Sequence, residues 1–250
     1  MFPLRDDNPT IRTSVITYGI IAINVLLWII IEGAGNEKAL ITSICNLGLI
    51  PGELLGNLPP GTRIALSPTA ECFLSGKSDY STLITHMFLH GSWFHLISNM
   101  WFLAVFGDNV EDSMGRIRFI LFYILCGVAA AGTQILFSAN SAVPMVGASG
   151  AIGGVMGAYV VLYPRSPVHM LIFLGFYIDK IIVPAYFMLG YWFVLQLLSA
   201  LPTVGQDSAG VAFWAHIGGF LAGVILVLIF QNRSLVDEHK KVIFSKWGRL

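Results

Sequence analysis

The chain has 250 residues, 56% of them hydrophobic and 11% charged, with 14 basic and 14 acidic side chains and a mean hydropathy of +0.75. A soluble domain carries about 25% charged residues, so this composition excludes an ordinary soluble fold and points to an integral membrane protein. The balanced charge offers no basic surface for nucleic acid.

Residues 1–13 are a short polar leader with Arg5 and Arg12. The apolar run over 14–31 is long enough to span a bilayer and longer than a signal-peptide core, so it reads as a retained first span. Residues 32–82 are interrupted by Pro51, Pro59, Pro60 and Pro68 and cannot span; their apolar residues predict short interfacial helices. Further spans are expected over 86–110, 116–138, 149–163, 181–201 and 211–231. Histidines mark the mouth of the second span, and Asp108, Glu111 and Asp112 its exit. The apolar stretch 170–177 of the connector 164–180 is expected to dip along the interface, and 232–250 is a polar tail with Lys240, Lys241, Lys246 and Arg249.

The fold class that follows is an all-α membrane protein, a six-helix bundle over 14–231 with a short central fourth helix. Fifteen residues from Ser149 to Tyr163 rise only about 22 Å, against roughly 30 Å of hydrocarbon. If this helix ends at one face, Ser149 begins below the other. Placing both termini in the cytoplasm puts 11 of the 14 Lys and Arg residues inside, leaving Lys38, Arg63 and Lys77 in the extracytoplasmic loop 32–82. Cys126 reads as a small core residue. Cys45 and Cys72 share the first loop and can pair if it is extracytoplasmic, although two free thiols is the simpler reading.

Polar groups in a bilayer are costly unless paired, so each requires a reason. Ser149, in Gly147-Ala148-Ser149-Gly150, opens a helix whose free N–H groups can stabilise a developing oxyanion; alone, it reads as an N-cap. His216, in Trp214-Ala215-His216-Ile217-Gly218-Gly219, alone reads as a helix-packing hydrogen bonder. Gly219 and Gly223 share its face, however, and Gly153 and Gly157 share that of Ser149. Two such stripes permit the close approach that a Ser–His general-base pair needs. The third cluster is His86, His90, His95 and Asn99. The His-x-x-x-His spacing of His86 and His90 makes zinc the rival reading, but no carboxylate or thiolate stands near. His95 and Asn99, one turn apart, suit hydrogen-bond donation to an oxyanion, and His86 and His90 suit pinning the loop before them.

Together, His90-x4-His95-x3-Asn99, Gly147-x-Ser149-Gly150 and Ala215-His216-x2-Gly219 resemble the rhomboid intramembrane serine proteases, over roughly 86–223. The resemblance implies Ser149 as nucleophile, His216 as base, and an oxyanion hole from His95, Asn99 and the Ser149 N–H, with Gly147, Gly150, Gly153, Gly219 and His90 as supporting motif. It also implies that Glu111 is structural. Two departures stand out. The Trp-Arg pair that many relatives carry in the first loop is missing from 32–82, and the position four after the nucleophile, aromatic in some relatives, is Gly153.

The expected activity is hydrolysis of a peptide bond in or near a transmembrane segment of a single-span membrane-protein substrate, without metal or other cofactor. A lid is expected from 202–210 and the adjoining end of the fifth span. The rivals are a catalytically silent relative that binds client transmembrane helices, and a small transporter using histidines as a proton relay. A bacterial plasma membrane is the expected location.

Overall fold

The computed structural model describes residues 2–67, 70–174, 177–203 and 211–247. The apolar runs fold as the helices α1 (Val15–Ile30), α5 (Trp93–Met114), α6 (Arg116–Phe137), α7 (Ser149–Leu162), α8 (Ala185–Ala200) and α9 (Phe213–Phe230). Two of these start four or more residues later than the sequence predicts, each for a backbone reason. Helix α5 begins at Trp93 because Ser92, extended at φ −167°, accepts the His95 N–H and caps the helix. His86 and His90 therefore precede the helix instead of lying on it. Helix α8 begins at Ala185 because Pro184 is extended at ψ 148° and cannot continue a helix from residue 181.

The all-α expectation is corrected by two small sheets. The leader forms β1 (Phe2–Asp6), which pairs antiparallel with β4 (Pro167–Leu174), itself paired with β5 (Tyr177–Pro184). The connector is built of the paired strands β4 and β5, and Val168 and Met170 alternate inward with the two-residue period of a strand. The first loop supplies the expected short helices α2 (Glu37–Leu47), α3 (Pro51–Leu54) and α4 (Thr82–Thr85), but also a hairpin of β2 (Arg63–Ser67) and β3 (Ala70–Phe73). A Cys45–Cys72 disulfide ties α2 to that hairpin, which overturns the reading of two free thiols. Cys126 is free and buried, as expected.

Three helical segments, Arg116–Phe137, Ala185–Thr203 and Phe213–Phe230, are long and apolar enough to cross a membrane, and α1 and α7 are shorter apolar helices. Helix α5 is as long as α6 but carries His95, Asn99 and three acids. Outward faces such as Ile23, Leu26 and Ile30 of α1, Val194 and Leu198 of α8 and Ile225 and Leu228 of α9 are exposed and apolar. Such a belt suits hydrocarbon, not water: this is a mostly helical membrane protein.

Helix α7 is the axis, buried at every residue from Gly150 to Tyr159. Its partner is α9, and the contact is backbone on backbone. A Cβ added at Gly219 would lie 1.9 Å from the Gly150 carbonyl oxygen, one at Gly223 1.9 Å from the Gly154 oxygen, and one at Gly157 2.2 Å from the Phe220 oxygen. Only glycine fits there.

At the far end of the bundle from Ser149, a set of polar side chains is bonded to one another and to backbone. Glu111 of α5 accepts the Ile16 and Thr17 N–H groups (3.1 and 2.7 Å) and the Thr17 hydroxyl (2.8 Å). It thereby caps α1, whose own N-cap residue Ser14 makes no side-chain cap bond. Asp112 accepts the Ile11 N–H at 2.8 Å and Arg12 at 3.0 Å, and Arg12 also pairs with Glu238. Glu238 lies on α10 (Arg233–Trp247), a helix where the sequence suggested only a polar tail. Helix α10 buries Val236 and His239, and His239 bonds the Tyr163 hydroxyl and the Pro9 carbonyl.

Candidate active site

Ser149 is the first residue of α7 and is presented by a loop fastened to the first loop of the chain. Met145 and Leu49 exchange both backbone hydrogen bonds (3.0 and 2.7 Å), and the Gly147 N–H donates to the His86 carbonyl at 2.9 Å. Gly147 has φ +130°, a conformation that side chains resist, and a Cβ there would also lie 2.8 Å from the His95 ring. Glycine is required at 147 both by backbone conformation and by space. Ser149 opens α7 and His216 lies in the first turn of α9, the two helices that meet along the glycine seam, so their side chains converge: Ser149 Oγ lies 2.7 Å from His216 Nε2.

The other predicted residues gather around this pair. A cavity of about 460 Å³ is lined by Ser149, His216, His95, Asn99, Gly147 and Gly150, and by the apolar Phe102, Ile152, Met156 and Trp192. Asn99 is buried and its Nδ2 has no hydrogen-bond partner among the described residues. His95 Nδ1 accepts the Gly91 N–H at 3.4 Å, so its proton sits on Nε2, the atom beside Gly147. His90 lies outside the cavity lining and packs edge-on against His95, ring centroids 5.1 Å apart. Gly153 and Gly219 lie on the helix seam and line no part of the cavity.

The first loop is held without a Trp-Arg pair. Glu32, fully buried, accepts the His90 N–H at 2.8 Å; Thr85 donates to the Leu47 carbonyl at 2.6 Å; and Trp93 donates to the Ala34 carbonyl at 3.1 Å. Burial pushes the Glu32 carboxyl up to about 7.

Sequence reasoning missed two residues of α8. Gln196 Oε1 lies 2.8 Å from His216 Nδ1, and the Trp192 ring lies 5.8 Å from the imidazole, tilted by 34°. Trp192 reaches within 3.8 Å of the position that a Cβ on Gly153 would take. The space over Gly153 is thus filled from a neighbouring helix. The available signal was Gln196 itself, an amide in an apolar run where a polar group requires a partner. The expected lid at 202–210 lies outside the described residues from 204 onward. Among the described residues no three His, Cys, Asp or Glu side chains converge as metal ligands.

Residues 77–233 match the Rhomboid domain. The chain belongs to the rhomboid family. Similar rhomboid proteins include Rhomboid-like protein 11, chloroplastic, of Arabidopsis thaliana, 33% identical over 165 residues, covering 63% of this chain and 56% of that protein. Rhomboid protease GluP of Bacillus subtilis is 32% identical over 152 residues, 60% of this chain and 26% of its own. Rhomboid protein 1, mitochondrial, of Saccharomyces cerevisiae is 29% identical over 164 residues, 60% and 42% respectively. The chain spans about half the length, or less, of these rhomboid relatives.

Proposed function

We propose that this rhomboid is an intramembrane serine protease that cleaves a peptide bond in or near a transmembrane segment of a single-span membrane-protein substrate. The observation that carries the reading is the 2.7 Å Ser149 Oγ–His216 Nε2 contact at the wall of the cavity. In this reading the six helices α1 and α5 to α9 are six spans, α7 the short central one, with both termini cytoplasmic. The first loop and Ser149 then lie on the extracytoplasmic side.

His216 Nε2 takes the Ser149 Oγ proton as Oγ attacks the substrate carbonyl. The carbonyl oxygen becomes an oxyanion facing three donors: Asn99 Nδ2, His95 Nε2–H and the Ser149 backbone N–H, a free donor of the first α7 turn. Collapse of the tetrahedral species expels the amine, which takes its proton from the imidazolium. Water, deprotonated by the same imidazole, then hydrolyses the acyl ester. A substrate helix hides its carbonyls in its own hydrogen bonds, so segments that unwind readily at Gly or Pro are the favoured class. This chemistry draws on no metal or other cofactor.

Relatives named for chloroplast and mitochondrion stand beside a Bacillus protease, so they support a membrane location without favouring the bacterial plasma membrane over an organellar one. The test is cleavage of a single-span substrate by purified protein in detergent, comparing wild type, Ser149→Ala and His216→Ala, with and without EDTA. Loss in both variants with indifference to EDTA supports the dyad. Cleavage surviving Ser149→Ala would sink it, and client binding without cleavage by any form would favour the silent-relative reading.

A further inference from the structure

The His216 imidazole has two nitrogens, and only one tautomer makes it a base toward Ser149. The Ser149 contact is made by Nε2, so a base toward Ser149 requires Nε2 bare and the proton on Nδ1. A buried Nδ1–H needs an acceptor, and here the acceptor comes from α8: Gln196 Oε1, at 2.8 Å. The orientation of the amide is itself fixed, because its Nε2 group donates to the Trp192 carbonyl one turn back, at 3.4 Å. With the NH₂ group occupied by Trp192, the oxygen is the end that faces the imidazole. Oxygen accepts only, so the proton lies on Nδ1.

We propose that Gln196 is a positioning residue that holds His216 as its Nδ1–H tautomer, with Nε2 bare toward the Ser149 hydroxyl. Trp192, four residues earlier on the same face of α8, lies against the imidazole and closes the space over Gly153. Orientation of the base thus comes from a third helix, α8, outside the α7–α9 pair. The acceptor is a neutral amide, so it selects the tautomer without the charge with which a carboxylate also stabilises an imidazolium. The catalytic consequence rests on the protease reading, whereas the tautomer does not.

The test joins two readouts on Gln196→Leu, which keeps bulk but cannot accept, and Gln196→Glu, which accepts and adds charge. The first is nitrogen-15 NMR of the His216 imidazole in the purified full chain, assigned by the signal missing from His216→Ala. Wild type and Gln196→Glu are expected to show a protonated Nδ1, and Gln196→Leu a shift of the proton to Nε2 or a mixture of tautomers. The second is the pH profile of cleavage. Gln196→Leu is expected to lower kcat about tenfold with KM unchanged. In Gln196→Glu the carboxylate favours the imidazolium, so the acidic limb of kcat/KM moves to higher pH by about one unit. A wild-type tautomer in Gln196→Leu overturns the proposal, even where kcat falls, because that fall is then merely structural. If Gln196→Leu does not fold, an unmoved acidic limb in Gln196→Glu overturns it. If wild type cleaves nothing, the protease reading fails alone, and the imidazole signals still decide the role of Gln196.

Discussion

The two ends of the bundle bury similar side chains and treat them in opposite ways. At the end holding β1 and α10, Glu111, Asp112, Ser113, Tyr163 and His239 are bonded to one another or to backbone, although Asn8 Oδ1 and Asn109 Oδ1 nearby have no partner among the described residues. At the other end, Asn99 Nδ2 has no partner among the described residues, and Ser149 and His216 reach each other beside the same cavity. Burial of a polar group is therefore a poor marker of function in this molecule, and the way the group is satisfied is a better one. Satisfied groups fasten the fold, while groups held with spare donors beside a cavity are poised for a reacting molecule.

The largest effect that could break this contrast is at the proposed dyad. Ser149→Ala and His216→Ala are each expected to lower cleavage by on the order of 10⁴-fold or more, with unchanged thermal stability in detergent. A large stability loss in either would move that residue to the fastening class. Next in size is the seam. Gly219→Ala and Gly223→Ala push a methyl into a carbonyl 1.9 Å away, and a loss of about 3 kcal/mol, together with activity, is expected. Gly190→Ala, with nothing within 4 Å, is the control and is expected to leave the melting temperature unchanged or higher.

Glu111→Ala sharpens the comparison from the other end. It orphans three donors and is expected to cost about 2–4 kcal/mol, read by thermal unfolding, while the folded fraction keeps its kcat.

The smallest effect is pH dependence. Burial raises Glu32 from 4.5 and Asp6 from 3.8, each to about 7. Both carboxyls bind a proton more tightly in the folded state, so their contribution is complete below about pH 4 and is lost as pH rises through 7. The melting temperature is expected to fall between about pH 4 and 7 and to level off above, and Glu32→Gln and Asp6→Asn should each flatten that slope.

Much of the bundle was legible because the apolar runs and their glycine spacing leave few alternatives. The match of Gly153 and Gly157 with Gly219 and Gly223 anticipated the helix contact that joins Ser149 to His216. The sheets were not legible. β1 is a polar leader whose partner lies some 165 residues away, and only its pairing with β4, from Phe2 opposite Leu171 to Asp6 opposite Val168, makes it a strand. The Cys45–Cys72 bridge depends on a hairpin that the prolines disguised. Gln196 was overlooked for a related reason: its partner is on another helix, and no spacing along α8 reveals an acceptor for His216.

Because α7 and α9 touch through bare backbone, a saturation-mutagenesis map of this chain would carry two kinds of intolerance of equal depth. Gly154, Gly157, Gly219 and Gly223 perform no chemistry, yet they would score as strictly as Ser149 and His216, since a Cβ at any of them meets another atom within 2.4 Å. Gly132 and Gly190 would accept most residues. A functional screen read by sensitivity alone would thus outline a whole helix pair as if it were the active site, and only an independent measure of folding would shrink it back to the proposed pair, Ser149 and His216.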